Sequence, residues 1–142
     1  MPFFFFDPTM ILLIPAVILA VWAQFKVKST YRKYQKVNAS QRISGAEVAK
    51  RLLSLNGIYD VEVEAVPGEL SDHYDPRVKK VRLSQANYQS SSLAAIAVAA
   101  HETGHAIQHA KNYAPLNWRH AILPVTNIAS KAAFPLFLIG FI

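Results

Sequence analysis

Residues 92–111 read SLAAIAVAAHETGHAIQHAK and predict one long α-helix. Alanine has the highest helix propensity of all residues, and the serines Ser90–Ser92 offer N-caps in front of the apolar run. The stretch contains one glycine, Gly104, and no proline, so no residue in it is expected to break the helix. We therefore expect a continuous helix from Leu93 to about Lys111.

This helix carries the motif His101-Glu102-Thr103-Gly104-His105. On a helix, His101 and His105 lie about 40° apart and about 6 Å along the axis, so both imidazoles can reach one zinc ion (Zn2+). Glu102 lies to the side, where its carboxylate can take a proton from water on the metal and pass it to a leaving amine. The alternative is an ordinary core helix, but burying three ionisable groups without a metal would be costly. The motif therefore predicts His101 and His105 as metal ligands, Glu102 as the catalytic residue and zinc as the cofactor.

The third zinc ligand is not evident from the motif. His109 continues the row of histidines, but on a continuous helix it lies about 12 Å from His101 along the axis. We therefore expect His109 either as a possible third ligand or as a group at the rim of the site. His120, His73 and acidic residues upstream of the motif are further candidates, although His120 also fits an interfacial polar group and His73 a solvated turn. No Asp or Glu follows Glu102 in the 142 residues, so none of them can supply a downstream carboxylate ligand.

Upstream of the motif helix, the pattern predicts a short helix and a small sheet. Residues 44–47 read SGAE, a capping box, and the apolar positions that follow predict an amphipathic helix ending at Asn56-Gly57. Valine and glutamate alternate over residues 61–64, which is typical of a half-buried strand. After a polar loop at 71–76, a second alternating strand is expected at Val78–Leu83.

The N-terminal segment predicts a membrane anchor. Apolar residues make up 52% of the 142 residues and charged residues 17%, giving a mean hydropathy of +0.17 that excludes a disordered chain. This apolar excess is concentrated at the two ends of the chain, and a spanning helix needs about 20 mostly apolar residues. We therefore interpret Pro2–Phe25 as a span. A cleavable signal peptide fits less well, because the positive charges follow the apolar run.

A block of six cations follows this span. Between Lys26 and Arg42 there is no acidic residue, and the block alone equals the net charge of +6. Its members are Lys26, Lys28, Arg32, Lys33, Lys36 and Arg42. Because it borders an apolar segment, we expect it to bind the lipid bilayer and not nucleic acid, for which no recognition motif is present. The positive-inside rule then places the N-terminus outside and the following domain in the cytoplasm.

The C-terminal segment resembles the start of a second membrane span. Phe134–Ile142 is apolar but too short to cross a bilayer, and Pro124, Lys131 and Pro135 predict an irregular segment before it. The organisation expected is therefore an anchor at residues 1–28, a domain with the motif helix at 29–116, and the start of a second hydrophobic segment at 117–142. The fold class expected is α+β, mostly helical, with a small sheet beside the motif helix.

Several motifs together resemble the membrane-embedded neutral zinc metallopeptidases of bacteria, the YugP-like proteins. The stretches that carry the resemblance are DHYDPR at 72–77, VRLS at 81–84, AAHETGHAIQH at 99–109, YAPL at 113–116 and PVTNI at 124–128. The resemblance implies a zincin-like active-site helix, hydrolysis of a peptide or protein substrate, His101 and His105 as zinc ligands and Glu102 as base. It also implies a multi-pass protein of the bacterial cell membrane.

Members of this family continue to an acidic residue on a later helix, which resembles the third ligand of gluzincin-type peptidases. The chain is therefore expected to be either part of such a peptidase or a diverged member with an incomplete site. The alternative to an enzyme is a non-catalytic membrane scaffold or regulatory homologue. A basic adaptor at the membrane surface is a third hypothesis. In the zincin plan an edge strand pairs with extended substrate, and Val78–Leu83 is either that strand or an ordinary strand of the sheet.

Overall fold

The computed structural model describes residues 11–141, apart from the side chains of residues 116, 117, 120 and 141. Five helices and three strands follow one another over this range. They are α1 (Leu13–Tyr34), α2 (Gly45–Leu55), β1 (Glu62–Val66), β2 (His73–Asp75), β3 (Lys80–Ser84), α3 (Gln85–Gln89), α4 (Leu93–Ala110) and α5 (Ala114–Phe141). The predicted α+β, mostly helical class with a small sheet is confirmed. Residues 2–10 of the predicted anchor lie outside the described residues.

The two predicted helix starts are formed by the residues expected to cap them. At α2, the Ser44 hydroxyl accepts a hydrogen bond from the Glu47 backbone N–H at 3.2 Å, and the Glu47 carboxylate accepts one from the Ser44 N–H at 2.7 Å. These bonds to Ser44 hold the pKa of Glu47 below its usual value. At α4, the Ser92 hydroxyl accepts from the Ala95 N–H at 3.2 Å. Both caps satisfy backbone donors that a helix start otherwise leaves unpaired.

The sheet has the strand order β1-β3-β2, with β3 parallel to β1 and antiparallel to β2. Strand β2 was not predicted, because a three-residue strand is too short to show a period and its pairing with β3 is a tertiary contact. The predicted strand Val78–Leu83 forms as β3, displaced by one or two residues. Since β3 is hydrogen-bonded on both sides, it is an ordinary strand of the sheet, which is the second of the two alternatives left open for it, and not an edge for substrate. Strand β2, which pairs with β3 in the antiparallel direction, lies at one edge of the sheet.

An ion-pair cluster covers one face of the β1–β3 pair. Glu64 accepts hydrogen bonds from Arg82 Nε at 2.7 Å and from Lys80 Nζ at 2.8 Å. The bonds from Arg82 and Lys80 lower the pKa of the Glu64 carboxyl. In the parallel register Glu64 lies opposite Arg82, so the cluster matches cross-strand neighbours of opposite charge.

The core forms where α4 packs against α2 and the sheet. Its buried apolar residues are Ala49, Leu53, Ile58, Val81, Leu83, Ala99 and Ala106. Thr103 is also fully buried, and its hydroxyl donates to the Ala99 carbonyl oxygen at 2.7 Å, so its polar group is satisfied within the helix. Because the buried face of α4 consists almost entirely of small side chains, its backbone lies close to the elements below it.

A chain of polar contacts fixes the end of α1 to this core. The Tyr31 hydroxyl donates to Asn87 Oδ1 at 2.8 Å, and Asn87 Nδ2 donates to Asp72 Oδ2 at 2.9 Å. The other Asp72 oxygen accepts from the Ser84 backbone N–H at 2.7 Å. Asn87 is fully buried, so these bonds are shielded from water and are costly to leave unmade. The end of α1 therefore has a defined position on the domain.

Two helices are long and apolar enough to cross a membrane by length and composition. They are Leu13–Tyr34 and the 20-residue stretch Ala121–Gly140 of α5, and neither buries residues against the rest of the described chain. The irregular segment predicted before residue 134 is wrong, because α5 runs for 28 residues through Pro124 and Pro135. Proline is tolerated in membrane helices, where side chains and neighbouring helices re-satisfy the freed carbonyl groups.

The close approach of α2 to α3 depends on Gly45. A Cβ atom at this position would lie 2.3 Å from the Asn87 carbonyl oxygen and 3.2 Å from that of Ala95. We expect Gly45→Ala to lower the free energy of unfolding by about 1–3 kcal/mol, because both neighbours are backbone atoms that cannot rotate away. Thermal denaturation of the detergent-solubilised, zinc-free chain measures this change.

The matched control for Gly45→Ala is Gly104→Ala. A Cβ atom at Gly104 meets nothing within 4 Å, so alanine there should raise the stability by about 0.5–1 kcal/mol through helix propensity. Equal melting temperatures for wild type and Gly45→Ala would contradict the close approach.

Candidate metal centre

The packing of α4 decides which side of the helix the motif presents. Thr103 is fully buried and points into the core. At 100° per residue, His101 and His105 each lie about 160° around the helix from Thr103. They therefore lie on the side away from the core, where a ligand can reach them.

The structure brings the two predicted ligands together. The ring centroids of His101 and His105 are 4.7 Å apart, and the rings meet edge to face at 75°. His101 is exposed, whereas His105 is half-buried. Two imidazoles on adjacent turns match the donor set that zinc prefers, so this pair fits the metal that the motif predicts.

A second contact sets the tautomer of His105. Its Nδ1 atom lies 3.1 Å from the side-chain oxygen of Gln108. Since an amide oxygen only accepts hydrogen bonds, Nδ1 carries the proton and the lone pair is on Nε2. Metal-binding histidines are held in the same way by a partner on the second ring nitrogen. The sequence analysis did not identify Gln108, although its spacing of three residues from His105 places both on one helix face.

Glu102 and His105 share the wall of a cleft of about 290 Å³ between α4, β2 and α5. The other residues of this wall are His73, Tyr74, Pro76, His109 and Arg119. Glu102 is half-buried, and no hydrogen bond or ion pair engages its carboxylate within the described part of the chain. The carboxylate is thus available to act on a group bound in the cleft.

His109 lies in the same wall but is held by Tyr74. Its Nδ1 atom is 2.9 Å from the Tyr74 hydroxyl oxygen, and the two ring centroids are 5.8 Å apart. Burial raises the pKa of Tyr74, and the carboxylates of Asp60 and Asp75 raise it further. The phenol therefore keeps its proton at neutral pH and remains a neutral hydrogen-bonding group beside the cleft.

His73 is the remaining candidate ligand whose side chain is described. It is exposed at the start of β2, and its Nδ1 donates to the Ser71 carbonyl oxygen at 2.7 Å. The side chain of His120 lies outside the described part. Among the described residues, no three His, Asp or Glu side chains come close enough together to hold a metal ion.

Tyr74 and Arg119 are residues of the cleft that the sequence analysis did not identify. Tyr74 stands in the segment predicted as a loop, and its position in the wall follows from the pairing of β2 with β3. Arg119 comes from α5, whose first turns contact α4. No sequence signal marks Arg119, and the motif DHYDPR contains Tyr74 without indicating that it lines a cleft, because both residues reach the cleft through tertiary packing.

The chain belongs to the family described as "Putative neutral zinc metallopeptidase", whose sequence profile matches residues 9–142. It is also 55% identical over 129 residues to a protein of Bacillus subtilis (strain 168) named "Putative membrane protease YugP". That alignment covers 91% of this chain and 57% of the relative, so the chain spans little more than half of the relative's length. No solved structure matches the chain. The resemblance inferred from the sequence motifs is thereby confirmed at the level of the family.

Proposed function

We propose that this chain carries the zinc-binding helix of a membrane-bound zinc metallopeptidase that hydrolyses peptide bonds with Glu102 as general base. The observation that supports this most directly is the juxtaposition of His101 and His105, whose rings lie 4.7 Å apart. The carboxylate of Glu102 lies in the wall of the same cleft as His105. The family description and the relative's name point to the same class of activity.

In this proposal, His101 and His105 hold the zinc ion through their ring nitrogens. Zinc, when bound, would supply Lewis acidity that brings the pKa of water towards neutrality and polarises a carbonyl group. His105 is prepared for this role by the Gln108 contact, which keeps the proton on Nδ1. His109, His73 and His120 are candidates for a third ligand within this chain. The third ligand could also come from a residue of a longer protein, such as the relative.

The chemical step assigned to Glu102 is proton transfer. Its carboxylate accepts a proton from the attacking water and then donates it to the amine that leaves when the peptide bond breaks. Glu102 is suited to this because it borders the cleft and is not tied up by a cation among the residues described. Groups positioned in this way typically contribute a factor of about 10²–10⁴ to a rate.

A non-catalytic membrane scaffold or regulatory homologue is the second candidate function. It is favoured by one specific observation, that within residues 11–141 no three described ligand side chains converge on one point. A chain with only two ligands would bind zinc weakly and would not turn over substrate. The amount of zinc that the chain retains distinguishes the two candidates.

We further propose that residues 1–28 form an anchor, 29–116 the peptidase domain and 117–142 part of a second membrane segment. The two apolar helices α1 and α5 support a multi-pass arrangement, and the relative is named as a membrane protease. The six cations that follow the apolar part of α1 support a cytoplasmic position of the domain by the positive-inside rule.

Zinc retention tests the metal site. We expect the purified 142-residue chain in detergent to retain about one zinc ion per chain in the presence of a weak chelator, and His105→Ala to retain none. Gln108→Ala should weaken zinc binding by about 10–100-fold, because it frees the His105 ring to rotate and to change tautomer. Elemental analysis and competition with a chromogenic chelator measure both quantities.

Two further variants separate the candidate third ligands. His109→Ala or His73→Ala should lower zinc affinity only if that histidine completes the site. Unchanged affinity in both would assign the remaining position to another source. Absence of zinc from the wild-type chain would instead favour the non-catalytic candidate for these 142 residues.

Glu102→Gln tests the catalytic role. We expect it to lower peptidase activity by about 10²–10⁴-fold while zinc remains bound, because the amide cannot accept the proton. Hydrolysis of a fluorogenic casein substrate by the zinc-loaded chain, with zinc content measured in parallel, gives both values. The matched control is Glu62→Gln, which removes an equal charge from an exposed position outside the cleft. Activity that survives Glu102→Gln would overturn the role of Glu102.

Cysteine labelling tests the orientation. The chain contains no cysteine, so single cysteines can be placed by Pro2→Cys and Tyr59→Cys, the latter at a side chain that is 83% exposed. A membrane-impermeant maleimide should label position 2 in intact cells and position 59 only after permeabilisation. Labelling of position 59 in intact cells would reverse the orientation.

A further inference from the structure

A second cavity, separate from the cleft of the metal centre, lies where α1 joins the domain. Its volume is about 410 Å³, and one face of α1 forms one of its walls through Lys28, Tyr31 and Arg32. Glu69 and Ser84 lie in the remaining wall. None of its lining residues belongs to the cleft that contains Glu102 and His105.

The charged groups of this cavity are not neutralised by one another. Lys28 and Arg32 are four residues apart and therefore lie on the same face of α1. In the described part of the chain neither cation makes an ion pair, and Glu69 makes none either. The cavity thus presents two cations and one carboxylate without partners within 4 Å.

Ser84 adds a polar group that lacks a partner. The residue is 1% exposed, and its hydroxyl is the single buried side-chain polar atom without a hydrogen bond among the residues described. Buried polar groups are nearly always hydrogen-bonded, so an orphaned hydroxyl on a residue that lines a cavity is a group that a bound ligand could satisfy once the side chain turns towards it. Tyr31 and Asn87 are hydrogen-bonded to each other, so they cannot both bond to the Ser84 hydroxyl without breaking that bond.

The position of the cavity along α1 corresponds to the headgroup layer of a membrane. Phe25 is the last residue of the apolar run before the cations begin. At 1.5 Å per residue, Lys28 and Arg32 lie about 4.5 Å and 10.5 Å beyond it along the axis. The headgroup layer is roughly 5–8 Å thick on each side of the hydrocarbon core, so Lys28 lies within it, whereas Arg32 lies just beyond it and can reach back into it with its long side chain. A phospholipid in the adjoining leaflet can therefore place its phosphate at this cavity.

We infer that this cavity binds the phosphodiester headgroup of a phospholipid that also carries an ammonium group. The phosphate oxygens accept charge-assisted hydrogen bonds from Lys28 and Arg32, and the Ser84 hydroxyl supplies a neutral donor. The Glu69 carboxylate accepts from the ammonium group. The site therefore prefers phosphatidylethanolamine to phosphatidylglycerol, whose headgroup has no cation to meet Glu69. The inference does not depend on zinc or on peptidase activity.

The test is a lipid titration of the delipidated, purified chain in detergent, followed by native mass spectrometry. The probes are dihexanoyl phosphatidylethanolamine, dihexanoyl phosphatidylglycerol and inorganic phosphate. We expect one molecule of phosphatidylethanolamine to bind most tightly. The double variant Lys28→Gln/Arg32→Gln should weaken it by at least about tenfold, the loss expected when charge-assisted hydrogen bonds to one phosphate are removed.

The matched control is the double variant Lys26→Gln/Lys36→Gln. It removes the same charge from the same basic block, but neither lysine lines the cavity. Its affinity should stay within about twofold of wild type, because diffuse attraction to the headgroup layer contributes little to a defined site at moderate salt. An equal loss in both double variants would overturn the inference in favour of diffuse charge.

Two single variants test the remaining groups. Glu69→Gln should lower the affinity for phosphatidylethanolamine but should not lower the affinity for phosphatidylglycerol. The preference for phosphatidylethanolamine should therefore disappear. Ser84→Ala should weaken lipid binding without lowering the melting temperature of the lipid-free chain, because it removes a hydroxyl that has no partner there. A preference that survives Glu69→Gln would contradict the role of the carboxylate. Inorganic phosphate that binds as tightly as the lipid would identify a soluble anion as the ligand instead.

Discussion

The close packing of the alanine face of α4 is the constraint on which the rest of the structure depends. Ala95, Ala99 and Ala106 are almost fully buried, and Thr103 among them satisfies its own hydroxyl within the helix. Small side chains allow the helix axis to approach α2 and the sheet, and the resulting contact leaves no freedom to rotate the helix. Because the rotation is fixed, the histidines of the motif can only lie on the opposite side.

Hydrogen bonds of Asp72 and Asn87 hold the end of α1 in place on the packed core. Asp72 bonds the start of α3 through Ser84 and Asn87, and Asn87 in turn accepts from Tyr31 on α1. If α1 moved away, Tyr31 and the buried Asn87 would lose the hydrogen bond that they make to each other. The domain is therefore attached to the apolar helix by a defined joint, not by a free linker.

The metal centre and the cavity beside α1 differ in the elements that supply their side chains. Glu102, His105 and His109 line the cleft, His101 lies beside His105 on α4, Gln108 contacts His105, and His109 is engaged by Tyr74. The relative is longer, since the match covers 57% of it. Under the proposed function, His101 and His105 would supply two zinc ligands from one helix, whereas the cavity beside α1 draws its lining groups from residues 28–86.

The sequence by itself determined the elements whose signals are local. Ser44 and Ser92 cap their helices as predicted. The relative positions of His101, Glu102 and His105 follow directly from the 3.6-residue repeat of the α-helix. Only the tertiary structure decided that β3 is the central strand and β2 the edge, because strand order depends on contacts between distant segments. It also brought Tyr74 to His109 and Ser84 to the foot of α1. No local sequence pattern predicts these pairs. The residues of each pair are far apart in the sequence, and the packing of the folded chain brings them together.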